Sequence, residues 1–389
     1  MNDKKRQNHL EYYKQHGIAP VRYDMSSMDA HLDRRESLYN MLGLLPLTFR
    51  EAKVLEVAAG TGHNSLYIAT QMPKNLVLLE PNPTALEHIQ AVYSSFDRAH
   101  TPPVVITKTL EDYIADEPFD IILCENWLGV SKHETGLMRK LADFVATNGL
   151  LVITVVSPIG FVPNLLRRFF VPYLAPADLE FDVRTKILED AFYSHLMTLP
   201  SMTRNATDWV HDNMLNPAYF ELCLSIPMVI SQLGEDFEVA RSYPSFEEDW
   251  RWFKGLYGKF RRRNEHFLEE YWLKCHNYLD SKAETFPSDS IRNQSLEENA
   301  LKILKAVEDH EDAHLHGGDI AGAVSAVYAS YERYLAAIPN ELSGACLALE
   351  EIGPFIKNPA SISPTLMAEM ELFRSLFGRE TSYLSLMRR

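Results

Sequence analysis

The sequence predicts a doubly wound, mostly parallel α/β sheet of Rossmann-like type, with a helical insertion and a helical C-terminal extension. Three observations predict it. Short apolar runs alternate with helical segments from about residue 53 to 156, a Gly-rich turn follows the first run, and the rhythm is lost beyond Pro158.

Residues 1–50 read as helical, with Tyr12, Tyr13 and Tyr23 around a break at 17–20 and a helix over 29–42 that stops at Gly43. The run VLEVA (54–58) reads as a strand, GTGHN as a turn, and 65–71 as a helix. LVLLE (76–80), a helix over 83–96, VVIT (104–107), FDIILCE (119–125), a helix over 133–147 and GLLVITVV (149–156) follow. Leu- and Val-rich strands spaced by helices are those of a parallel sheet covered on both faces. Residues 161–235 are rich in aromatic residues, Pro and Met and read as an irregular helical insertion. FEVARSY (237–243) is one more strand, and 246–389 is helical with a polar linker at 287–295. Residues 315–341 have the small-residue and aromatic spacing of one helical-hairpin repeat; without neighbouring copies they read as an ordinary helical pair. The division predicted is an N-terminal lid segment (1–50), a ligand-binding domain (51–245, insertion 161–235) and a helical C-terminal domain (246–389).

With 38 basic and 53 acidic residues the formal charge is −15, which disfavours general nucleic-acid binding. The basic run Arg261, Arg262 and Arg263 reads as a solvated face. Cys124, Cys223, Cys275 and Cys346 have neither metal nor disulfide spacing, fitting reduced thiols and a cytoplasmic location. The apolar stretch 150–166 is interrupted by Pro158 and Pro163 and is short for a span, so no stable membrane insertion is expected.

The segment Glu56-Val57-Ala58-Ala59-Gly60-Thr61-Gly62-His63-Asn64 joins a strand to a helix. Gly60 and Gly62 permit backbone angles closed to other residues and let the main chain approach a ligand. The helix N-terminus beyond offers free N–H groups to an anion. Glu80 ends the next strand, where a carboxylate can accept from both hydroxyls of a ribose. A nicotinamide dinucleotide fingerprint would need a third Gly where Ser65 stands, and it has no use for Glu56, which can hold a ligand's ammonium group.

On these residues the sequence resembles the class I S-adenosylmethionine-dependent methyltransferases, whose first motif runs acid-x-Gly-x-Gly-x-Gly; Ala58 replaces the first Gly. The resemblance covers about residues 50–160 and implies S-adenosylmethionine as cofactor. It places Glu56, Ala58, Gly60, Gly62 and Asn64 in the cofactor loop and makes Glu80, with Pro81 after it, the ribose-binding acid. In TLEDY it assigns Leu110 and Glu111 to the adenine. FDIILCENW brings Glu125 beside the transferred methyl group.

Methyl transfer is an in-line displacement, so the enzyme mainly aligns the reactants and excludes water. A base is needed only if the acceptor must lose a proton. Glu125, Asn126, Trp127 and His133 are the candidates near the active face, with none singled out. His195 reads as a packing or surface residue, and His310, His314 and His316 as part of a solvated acidic helix; no metal is expected. The insertion's Phe161, Phe169, Phe170, Tyr173, Phe192 and Tyr193 exceed what a connecting loop needs. Residues 164–176, with the segment 12–23, are expected to close over the cofactor, and 208–227 to line the acceptor pocket. The alternative is that the aromatics dock the C-terminal helices. The reading is a methyltransferase acting on a small molecule, with the C-terminal helices available for homo-oligomer contacts. A cofactor-binding module without turnover, holding a protein partner through its helical region, is the second reading.

Overall fold

The computed structural model describes residues 7–18, 27–129, 131–200, 202, 204–219, 223–247, 252–255 and 263–389. Tyr23, Arg261 and Arg262, named above, lie outside them, as do residues 220–222 of the expected pocket-lining segment. The chain divides into two compact units. One comprises residues 1–156, 224–268 and 381–389, the other residues 157–223 and 269–380.

The first unit is built on a seven-stranded sheet: β1 (Lys53–Val57), β2 (Asn75–Leu79), β3 (Val104–Ile106), β4 (Phe119–Cys124), β5 (Val145–Val156), β6 (Phe237–Tyr243) and β7 (Thr381–Arg388). Their order is β3-β2-β1-β4-β5-β7-β6. The pairs among β1 to β5 are parallel, and β7 alone runs antiparallel, against β5 on one side and β6 on the other. Val54, Leu55, Leu76, Leu78, Ile121, Leu123 and Val152 are essentially inaccessible, as a sheet covered on both faces requires. Tyr39, Phe49 and Tyr67 close the core on one face, their rings meeting at 5.4–6.2 Å.

Most of the alternation expected from sequence is present, and β6 has the expected limits. Three expectations are corrected. The helix placed over 133–147 is two short helices, Lys132–Gly136 and Met138–Asp143, and β5 begins at Val145. Within that strand Asn148 takes left-handed backbone at φ 61°. The polar linker expected at 287–295 is a helix start, where Asp289 Oδ1 accepts the Arg292 N–H at 2.7 Å and opens the helix Ser290–His316. Finally, the C-terminal region is not wholly helical. TSYLSLMR pairs through Leu384 with Ile153 and through Leu386 with Leu151 and Val239. Its Leu and Ser content carries no strong β signal, and its paired residues lie at least 140 positions away, so local pattern could not place it.

The domain boundaries shift accordingly. Residues 224–268 and 381–389 belong with the sheet, while most of the expected insertion clusters with 269–380. In that second unit the helix Pro158–Phe169 is buried along its whole length and packs on Ser290–His316, which forms a pair with Ile320–Ala337. Gly317, left-handed at φ 74°, turns the chain between the two. Phe161, Phe169, Phe170 and Phe192 are core residues here. Packing thus accounts for these four of the six aromatics that suggested a lid, while Tyr173 is half-buried and Tyr193 is 55% exposed. Arg167 is fully buried; its guanidinium donates to the carbonyls of Phe373 at 3.1 Å and Leu376 at 2.9 Å and lies 4.0 Å from the Phe377 ring centroid. Desolvation pulls its pKa down to about 9, against the opposing pull of Glu380.

The position of β7 predicts an asymmetric response to truncation of its side chains. Leu384 is inaccessible, so Leu384→Ala should cost roughly 2–5 kcal/mol in urea unfolding, whereas half-exposed Met387→Ala should stay within about 0.5 kcal/mol. Equal small effects would remove β7 from the core.

Candidate active site

β1 lies between β2 and β4, so successive connections leave it in opposite directions along the sheet. A crevice forms at the carboxyl ends of the strands at such a reversal. The turns after β1, β2 and β4 supply its walls.

The turn after β1 is held in left-handed backbone at three positions: Ala58 (φ 57°), Gly60 (φ 56°) and Gly62 (φ 78°). Ala58 carries a Cβ in this region at a cost of roughly 1–2 kcal/mol. A Cβ on Gly62 would stand 3.0 Å from Ile89 Cγ1, so the helix Pro83–Ser95 also excludes larger residues there. The helix His63–Thr70 begins at this glycine, and half-buried Asn64 lies in its first turn. Ser65, which stands where a dinucleotide site would have Gly, is buried. Its hydroxyl donates to the Gly62 carbonyl at 2.8 Å and accepts from Tyr93 at 3.0 Å.

Glu80 binds the first two turns together. Oε2 accepts the Gly60 N–H at 2.8 Å and Oε1 the Asn82 N–H at 2.9 Å. Burial pushes its carboxyl up to about 7, against the lowering effect of those two bonds. Each oxygen retains a second lone pair for a hydroxyl donor. Pro81 separates the two residues, and Asn82 Nδ2 donates to the Ile18 carbonyl at 3.1 Å, bringing the N-terminal segment to this turn. Asn82 was missed in the sequence, although Asn-Pro at a helix start is a capping signature.

Glu125 follows β4 and is not free. Arg35 and Tyr39, four residues apart on the helix Met28–Met41, both reach its Oε1, the Tyr39 hydroxyl at 3.0 Å and the guanidinium in a buried ion pair. Burial opposes the charge on Arg35, yet Glu125 more than compensates and its pKa is raised. Glu56 is buried in β1 close enough to feel this pair. Desolvation first, then Glu125, push its carboxyl up to about 8. Glu56 Oε2, Glu125 Oε2 and Arg35 Nε have no hydrogen-bond partner among the described residues. No sequence signal marked Arg35 or Tyr39 beyond their helical spacing. His31, on the same helix, contacts the turn after β1 through Nε2 and the His63 carbonyl at 3.0 Å.

The other candidates are less enclosed. Asn126 is exposed at φ 55°, its N–H bonded to Thr154 Oγ1 at 2.7 Å, and Trp127 is half-buried. Leu110 is buried in the turn after β3, while Glu111 is at the surface, its Oε1 hydrogen-bonded to Nε2 of exposed His133 at 2.6 Å. Partial burial raises the Glu111 carboxyl, but bonds from its own backbone N–H and from His133 outweigh it, and its pKa is lowered. His195 lies inaccessible in the second unit, bonded to Arg167 Nε at 3.2 Å and to the Met367 carbonyl at 2.7 Å. His310 and His314 bond the Tyr173 hydroxyl at 2.8 and 3.3 Å, and His310 is buried rather than solvated. Among the described residues no cluster of three His, Cys, Asp or Glu side chains suits a metal. Arg263, expected on a solvated face, donates to the Ala240 carbonyl at 2.7 Å and pairs with Glu247 at 2.9 Å.

Residues 29–186 match a family model described as a methyltransferase domain. Over this stretch, less than half of its length, the chain is similar to a methyltransferase domain. The match takes in β1 to β5 and leaves out β6 and β7. No curated protein matches the chain. Among solved structures it is similar to the CcbJ methyltransferase of Streptomyces caelestis at 17% identity, over 33% of this chain and 51% of that one, with a TM-score of 0.28. A mycolic acid cyclopropane synthase aligns at 11% identity over 95% of this chain and 90% of that one, TM-score 0.37. A coclaurine N-methyltransferase aligns at 14% identity over 96% and 77%, TM-score 0.37. Likenesses this distant do not bear on what the chain acts on.

Two outcomes follow from the carboxylates. Glu80→Ala leaves the Gly60 and Asn82 N–H groups without their acceptor, so the ligand-free protein itself should lose about 1–3 kcal/mol in urea unfolding. An unchanged midpoint would mean that the two turns do not depend on it. For Glu56, the folded state holds a proton that the unfolded chain releases above about pH 4.5. Its contribution therefore makes stability fall as pH rises from about 4.5 to about 8, and level off above. Glu56→Gln lacks this titration, so its stability relative to the parent should rise between pH 5 and 8. A constant difference in denaturation series across that interval would contradict it.

Proposed function

We propose that the protein transfers the methyl group of S-adenosylmethionine to a small-molecule acceptor, with the cofactor in the crevice at the ends of β1, β2 and β4. The observation that carries this is the set of unpartnered buried atoms there: Glu56 Oε2 and Glu125 Oε2, with Arg35 Nε nearby. Buried polar atoms without partners are costly, and a ligand bearing both an ammonium and a carboxylate answers both signs. Glu80 suits the ribose hydroxyls, whose donated bonds favour its charged form. Leu110 offers an apolar surface and Glu111 an acceptor to the adenine. The turn Ala58–Gly62, with Asn64 and Pro81 at its margins, lets backbone approach the ligand.

When bound, the sulfonium supplies an electrophilic methyl group. The chain's own residues bind, orient and exclude water. Glu125, held by Arg35 and Tyr39, serves to fix charge and position rather than to shuttle a proton. Asn126 and Trp127, directly after it, are placed to meet the acceptor. His133, half-exposed and paired with Glu111, is the candidate that can take a proton if the acceptor must lose one.

Calorimetry should show micromolar binding of S-adenosylmethionine and S-adenosylhomocysteine and no comparable binding of NAD. Radiolabelled methyl transfer should appear with members of a small-molecule panel. Tight NAD binding without binding of the sulfonium compound would overturn the cofactor assignment. Methylation confined to protein or nucleic-acid acceptors would overturn the acceptor class.

A further inference from the structure

The chemistry of the sequence reverses just after β6. Residues 250–263 hold six Lys or Arg, no Asp or Glu and five aromatic side chains, in a chain whose formal charge is −15. One of the cations is committed inward: Arg263 binds the Ala240 carbonyl and Glu247. Beside it, Asn264 accepts the Val239 N–H at 2.9 Å and donates to the Phe237 carbonyl at 2.8 Å. The C-terminal end of the stretch is thus fastened to β6.

At the turn Phe253–Gly255, Trp252 is 69% and Phe253 68% exposed. Their centroids are 5.9 Å apart at 68°, and Lys254 Nζ stands 5.2 Å from the Trp252 ring centroid. Two bulky rings presented together to water are an unfavourable surface unless something covers them. Rings flanked by cations suit the boundary between lipid headgroups and acyl chains, where the rings sink in and the cations meet phosphate. A single-stranded nucleic acid would instead need open ring faces for stacking, and Lys254 already sits over that of Trp252. No helix among the described residues is long and apolar enough to cross a membrane, which leaves attachment at the surface.

We propose that Trp252, Phe253 and Lys254 form an interfacial anchor that docks the protein reversibly on an anionic lipid bilayer. The test is flotation of the purified full chain with phosphatidylcholine vesicles, with and without phosphatidylglycerol. Binding should require the anionic lipid and weaken as salt is raised. Lys254→Ala should reduce it about fivefold. The double variant Trp252→Ala/Phe253→Ala should reduce it further, while S-adenosylmethionine affinity and thermal midpoint stay unchanged. Absence of vesicle binding, equal binding to neutral vesicles, or full binding by the double variant would overturn the proposal. So would single-stranded RNA binding that depends on Trp252 and Phe253 without any binding to vesicles.

Discussion

The site depends on one carboxylate accepting two backbone N–H groups. Glu80 joins the turn after β1 to the turn after β2 before any ligand arrives, so the left-handed geometry at Gly60 does not rest on the glycines alone. A loop with three left-handed residues would otherwise sample many shapes. The same carboxylate keeps lone pairs free for hydroxyl donors, so one group can set the loop and remain available to a ligand.

Around it, buried charge is arranged with unequal freedom. Arg35 and Tyr39 converge on one oxygen of Glu125, while its other oxygen and one of Glu56 have no hydrogen-bond partner among the described residues. Such a cluster is costly in an empty crevice, and preorganised sites characteristically carry that kind of cost. The helix Met28–Met41 contributes Arg35, Tyr39 and His31, so the N-terminal region is part of the crevice's wall as well as its approach.

The Gly-rich turn, the acid ending β2 and the strands β1 to β6 were legible because each is a local signal, a short apolar run or a glycine in a strand-to-helix turn. Arg35, Tyr39 and Asn82 were not, because their importance arises from contacts across 86 to 90 positions or, for the Asn82 amide, with a carbonyl 64 residues away. The aromatics of 161–193 were legible as an excess, but composition could not say that Phe161 and Phe169, on a helix packed against Ser290–His316, belong to a core. β7 escaped for the same reason as Arg35, since strand pairing at long range leaves little trace in eight residues of Ser, Leu and Tyr.

The placement of β7 has a consequence for the order of synthesis. Residues 244–380 are made after β6 and before the strand that joins β6 to the sheet, a delay on the order of ten seconds at ordinary elongation rates. Throughout that interval the nascent chain presents two unsatisfied strand edges, β5 and β6, which are templates for wrong partners. A message interrupted between codons 244 and 380 therefore yields a polypeptide with its Gly-rich turn present and its sheet open, a product suited to capture by chaperones and proteases.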